Sequence, residues 1–77
     1  MKKNHALIYA RKEKQLTQFK LAVMMGCKKT TISNWENGYA KPKLIDAFKL
    51  SIILEKKIED IFFDSDVQVS HTLEKLS

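Results

Sequence analysis

"LTQFKLAVMMGCKKTTISNWENG", residues 16–38, decides the fold, because two short helical patterns meet there across a single glycine. Thr17 is a good N-cap for a helix over Gln18–Met25, since its hydroxyl can accept from an open N–H of the first turn. Leu16 and Leu21 stand at the N′ and N4 positions of a hydrophobic staple, which fixes the angle of entry. Lys20 occupies N3, so the reciprocal capping box is missing. Gly26 is free to take positive φ and end the helix. A second helix then spans Lys29–Glu36 with Ile32 and Trp35 facing in, and Asn37-Gly38 stops it.

Two helices that cross steeply need a small residue at their close approach, a turn residue with positive φ, and apolar positions where they pack. Ala22 supplies the first, Gly26 the second, and Leu21, Met25, Cys27, Ile32 and Trp35 the third. Lys29, Thr30, Ser33 and Asn34 are left on the outward face, with polar side chains able to reach base edges in a major groove. One detail is out of place. Lys28 and Lys29 sit at a helix N-terminus, whose partial positive charge favours Ser, Asp or Asn.

The flanking sequence also reads as helix. Leu7, Ala10 and Arg11 line one face of a first helix running from near Asn4 to Lys14. A fourth helix follows Pro42, with Leu44, Ala47, Phe48, Ser51 and Ile52 on its inner stripe. A short fifth covers Ile58–Phe62, with Glu59 and Asp60 near its N-terminus. The expectation is a compact all-α domain of five helices over residues 1–63, followed by a tail at 64–77. Val67–Leu73 alternates apolar and polar like a strand, and one strand alone is not stable, so it is either disordered or paired with its copy in a second subunit.

Charge is divided along the 77 residues. Residues 1–57 hold 13 of the 14 Lys and Arg against 4 acids, and residues 58–77 hold one Lys against 5 acids. A basic body with an acidic end suits a polyanionic partner for the first part. The single cysteine excludes an internal disulfide and a multi-cysteine zinc site, and His5 and His71 lie too far apart to suggest a metal. No stretch has the length of a membrane span, no signal-peptide run is present, and a cytoplasmic location is expected. Phosphate-cradling loops, zinc-hydrolase motifs and nucleophile elbows are missing, so neither an enzyme nor a cofactor is expected. A separate ligand-sensing module has no room in this length, and no small-molecule ligand is expected.

From Leu16 to Pro42, and again over "LSIILEKKIEDIFF" (residues 50–63), the chain resembles the Cro/repressor (XRE-type) helix-turn-helix family with its lambda-repressor-like fold. The resemblance implies roles. Lys29, Thr30, Ser33 and Asn34 match base-facing positions. Gln18 matches a residue that contacts the DNA backbone and can support the reading helix, and Asn37, Lys41 and Lys43 match the loop that grips phosphates. Arg11 and Glu36 match an ion pair tying the first helix to the end of the reading helix. Three positions depart from the pattern: Lys28 replaces the usual Ser or Thr cap, and Gln15 and Glu55 replace common glycines.

Side-chain chemistry then separates reading from holding. Lysine suits guanine O6 and N7 and asparagine suits adenine N6 and N7, which makes Lys29 and Asn34 the candidates for direct readout. Thr30 offers either its methyl to thymine or its hydroxyl to phosphate, while Lys28, Lys41 and Lys43 suit phosphate. Trp35, Met25 and Cys27 are read as core. The surplus apolar residues Ile53, Leu54 and Phe63 suggest a partner surface, and a homodimer on double-stranded DNA is expected. The alternative is a protein-interaction module, antitoxin-like or an adaptor, that keeps the fold without reading DNA.

Overall fold

The computed structural model describes residues 3–62. The tail expected to pair or fray, Val67–Leu73 included, lies outside the described residues. Five helices follow one another: α1 (His5–Glu13), α2 (Gln18–Met25), α3 (Lys29–Asn37), α4 (Leu44–Leu54) and α5 (Ile58–Ile61). Among the described residues there is no strand, as the spacing predicts for an all-α chain.

The helix-turn-helix forms as its residues dictate. Thr17 Oγ1 accepts from the Lys20 N–H at 3.0 Å, and Gly26 ends α2 in the left-handed region at φ 73°. Gly38 ends α3 in the same way at φ 79°. The α3 end lies one residue beyond the expected Glu36, at Asn37. α2 packs on α3, α1 touches α3 and α5, and α4 lies against α2 and α5. The core gathers Leu7, Ala10, Leu21, Ala22, Met25, Ile32, Trp35, Ala47, Leu50, Leu54, Ile61 and Phe62. Cys27 is half-buried against it, less enclosed than a core residue. α5 ends at Ile61, and Phe62, expected inside it, is extended and buried instead.

α4 corrects the expected inner stripe. Ala47 is buried as expected, but its companions are Leu50 and Leu54. Phe48 and Ile52 point outward, 49% and 75% exposed, beside Ile45 at 61%. The reason is that α4 is apolar around most of its girth, so a spacing of three and four residues fits two stripes equally. Leu54 and Ile53, expected on a partner surface, are part of the chain's own packing, and Phe63, expected beside them, lies outside the described residues. Ile45, Phe48 and Ile52 form the exposed apolar ridge in their place.

The two missing glycines have a physical substitute. Gln15 (φ 57°) and Glu55 (φ 54°) both adopt the left-handed conformation that a side chain disfavours by about 1–2 kcal/mol. Their loops are tied to each other: Lys14 pairs with Glu55, and Lys56 Nζ donates to Glu13 Oε2 at 3.2 Å. The hydrogen bond from Lys14, then its charge, holds the Glu55 carboxyl below the usual carboxylate range, against a small opposing effect of burial. The pair therefore contributes at neutral pH and is lost as pH falls through that lowered value, a small contribution because the groups face solvent. Asn4 closes the domain at its other end. Its Oδ1 caps α1 by accepting from the Leu7 N–H, its Nδ2 donates to the Ile61 carbonyl, and its own N–H donates to the Glu36 carbonyl.

Gln15→Gly should raise stability by about 0.5–1 kcal/mol, since it relieves the left-handed strain with no ion pair to lose. Urea denaturation checks this: the midpoint should rise with an unchanged slope, and a lower midpoint would contradict the strain.

Candidate nucleic-acid interface

α3 is held at its C-terminal end by a buried polar cluster. Arg11 Nε donates to Glu36 Oε2 at 2.6 Å and Arg11 Nη2 to Glu36 Oε1 at 3.2 Å, a two-pronged pair. Arg11 Nη1 donates to the Leu16 carbonyl at 2.7 Å, so the same side chain braces the start of the α2 turn. Gln18 Nε2 donates to Glu36 Oε1 at 3.0 Å. Glu36 is only 2% exposed, and among the described residues no buried side-chain polar atom lacks a partner. The expected Arg11–Glu36 pair is therefore present and buried, and α1, α2 and α3 all contribute to it.

The outward face of α3 is open. Ile32, Trp35 and Glu36 are buried, while Lys29, Thr30 and Asn34 are exposed and Ser33 is half-buried. Lys28, Lys41 and Lys43 are exposed too: Lys28 directly precedes α3, Lys41 stands in the α3–α4 loop, and Lys43 directly precedes α4. Asn37 differs from the expected loop position. It is the last residue of α3, and its Nδ2 donates to Ser33 Oγ at 3.2 Å. Gln18 likewise turns its amide into the protein, in the supporting half of its expected role.

The N-terminal end of α3 contrasts with all the others. Asn4 caps α1 and Thr17 caps α2 through their side chains. α4 and α5 start after Lys43 and Lys57 without a side-chain cap, but carry Asp46 and Glu59–Asp60 in their first turns. Among the described residues α3 alone has neither: Lys28 makes no capping bond and no acid stands in the first turn. Open N–H groups, the positive end of the helix dipole and two lysines thus coincide at one exposed place. Beside this turn, burial, with a smaller push from Asp46 and an opposing pull from Lys49, raises the Cys27 thiol, so it stays protonated at neutral pH.

Sequence reasoning found this face because the residues lie at helical spacing, but missed the Ser33–Asn37 contact and the three bonds of Asn4. An Asn just ahead of an apolar-periodic run is a cap signal, whereas its bond to Ile61, 57 residues on, has no local signature. Among the described residues, no helix is long and apolar enough to cross a membrane, and no cluster of His, Cys, Asp or Glu could hold a metal.

A family model described as helix-turn-helix matches residues 7–61. No curated protein and no solved structure matches the chain. The chain belongs to the helix-turn-helix family of Cro/repressor (XRE) type, whose domain is that of a DNA-binding regulator.

Removing one partner of a buried ion pair costs about 3–5 kcal/mol because the other charge is left stranded. Arg11→Met alone should therefore lower stability by about 3–5 kcal/mol, whereas the same change combined with Glu36→Leu should recover a large share of the loss. A double-mutant cycle by thermal denaturation measures both, and additive single losses would contradict the coupling.

Proposed function

We propose that this helix-turn-helix regulator is a sequence-specific transcriptional repressor of phage, prophage or bacterial type, acting in the cytoplasm. On this reading it binds an inverted repeat in double-stranded DNA as a homodimer, with α3 in the major groove. The observation that carries the proposal is the unbalanced N-terminus of α3. Doing without a side-chain cap costs on the order of 1 kcal/mol, and the lysines add to that through the helix dipole. A DNA phosphate at that end accepts from the open N–H groups and faces the lysines with the opposite charge. The same residues that misfit the free helix then fit the complex.

On this reading Lys29 and Asn34 read base edges, with Thr30 and Ser33 beside them. Lys28, Lys41 and Lys43 hold phosphates, and the amides of Gln18 and Asn37 border the same backbone while supporting α3. Arg11 and Glu36 keep α3 in place without touching DNA. The exposed ridge Ile45, Phe48 and Ile52 supports a second subunit, since an apolar row at helical spacing gains by being covered. Two-fold symmetry would double a recognition site that one short helix reads only in part, with half-sites about one helical turn apart.

A second reading, the antitoxin-like or adaptor module, is favoured by Phe19, Val23 and Met24, exposed on α2. Selection of bound sequences from a random duplex pool separates the two: a recovered palindrome supports the dimeric reader, and no enrichment at low salt supports the module. Lys29→Ala should relax base preference at one position per half-site. Lys43→Ala should weaken all sequences alike and reduce the salt slope by about 1. Identical uniform losses would remove Lys29 from base reading.

A further inference from the structure

α4 cannot roll to hide its outer ridge. Ala47, Leu50 and Leu54 are fully buried on its inner side, which leaves Ile45, Phe48 and Ile52 exposed. α4 lies against α2, and α2 packs on α3, so the ridge keeps a fixed relation to the outward face of α3. Phe48 stands three residues after Ile45 and four before Ile52, so the ridge reads nearly the same in both directions. A second copy of α4, laid antiparallel across a two-fold axis, brings the two Phe48 rings together and sets Ile45 of each copy near Ile52 of the other. The surface is self-complementary, as an interface between identical chains requires. It is also small. Three partly exposed side chains offer a few hundred Å², whereas a stable interface buries about 800 Å² on each partner. A net charge of +5 on each copy opposes association further, and Lys49, exposed next to Phe48, comes near its copy at the same axis.

We propose that the α4 ridges of two copies pair only on DNA, so that the chain is a monomer in solution and fills the two halves of its site cooperatively. The inference rests on the DNA-reading function above and adds where, and under what condition, the second subunit joins. Two copies bound at neighbouring half-sites meet at high effective concentration, and the phosphates neutralise the charge that keeps them apart. The ridge then has only to favour a pair that the duplex has already assembled. Coupling between two sites is typically about 5–150-fold. Because the ridge is fixed relative to α3, its pairing also fixes the spacing of the two reading helices. One base pair inserted between the half-sites separates them by about 3.4 Å and turns one by about 35° around the DNA axis, which breaks the contact.

The test uses the duplex recovered by selection in three forms: whole, with one half scrambled, and with one base pair inserted at its centre. Without DNA, the full chain should sediment as a monomer at micromolar concentration. On the whole duplex the second copy should bind about ten- to hundredfold more tightly than the first, and the inserted base pair should remove that gain. Phe48→Gln and Ile52→Gln should remove it too, while affinity for the single half-site and the thermal midpoint stay nearly unchanged. A free chain that is already a dimer, or variants that keep the cooperativity, overturn the proposal. So do variants that lose affinity for the single half-site to the same degree. Variants that lose thermal stability and keep the cooperativity overturn it as well, and assign the ridge to cover by residues 63–77 of the same chain. A selection that recovers one unrepeated half-site overturns this inference and leaves DNA reading intact, whereas one that enriches no sequence overturns DNA reading itself.

Discussion

The buried pair between Arg11 and Glu36 is the contact on which the position of α3 depends. Hydrophobic packing is non-directional: Ile32 and Trp35 draw α3 onto α2, but they leave the helix free to roll. A two-pronged guanidinium–carboxylate pair permits one orientation, and the third arm of Arg11 on Leu16, with Gln18 on Glu36, extends the constraint to the α2 turn. In a domain too small for a large core, such a directed contact decides which face of α3 is presented to solvent.

α3 carries charges of unfavourable sign at both of its ends, and the two are resolved differently. Glu36 lies in the last turn, where the helix dipole disfavours an anion. That misfit is answered within the fold by Arg11 and Gln18. Lys28 and Lys29 lie at the first turn, where the dipole disfavours a cation, and among the described residues that turn has neither a side-chain cap nor an acid to answer them. One end is anchored and the other is offered to solvent. For a family whose domain binds DNA, phosphate is the natural complement of the second.

What was legible in the sequence is what local chemistry determines. The Thr17 cap, the Gly26 turn, the inward Ile32 and Trp35 and the outward polar face of α3 follow from spacing and residue type. The α4 stripe was misread because a helix apolar on most sides has no phase of its own, and only its neighbours select Leu50 and Leu54 over Phe48 and Ile52. The turns at Gln15 and Glu55 lack the glycine that would announce them, and the ion pairs beside them join residues about forty apart in sequence. The Ser33–Asn37 bond joins neighbours one turn apart, but many polar pairs share that spacing, and only geometry shows which one is made.

Lys28→Thr probes the open end of α3 in a single substitution, because it supplies the missing cap and removes one of the two misplaced charges. Urea denaturation and duplex binding at several salt concentrations should be measured on the same protein. The free variant should be more stable by about 1 kcal/mol, and it should bind every duplex more weakly with a salt slope lower by about 1. A variant that gains the stability yet binds DNA as tightly, with the same salt slope, would contradict the claim that the exposed end of α3 is left open for phosphate.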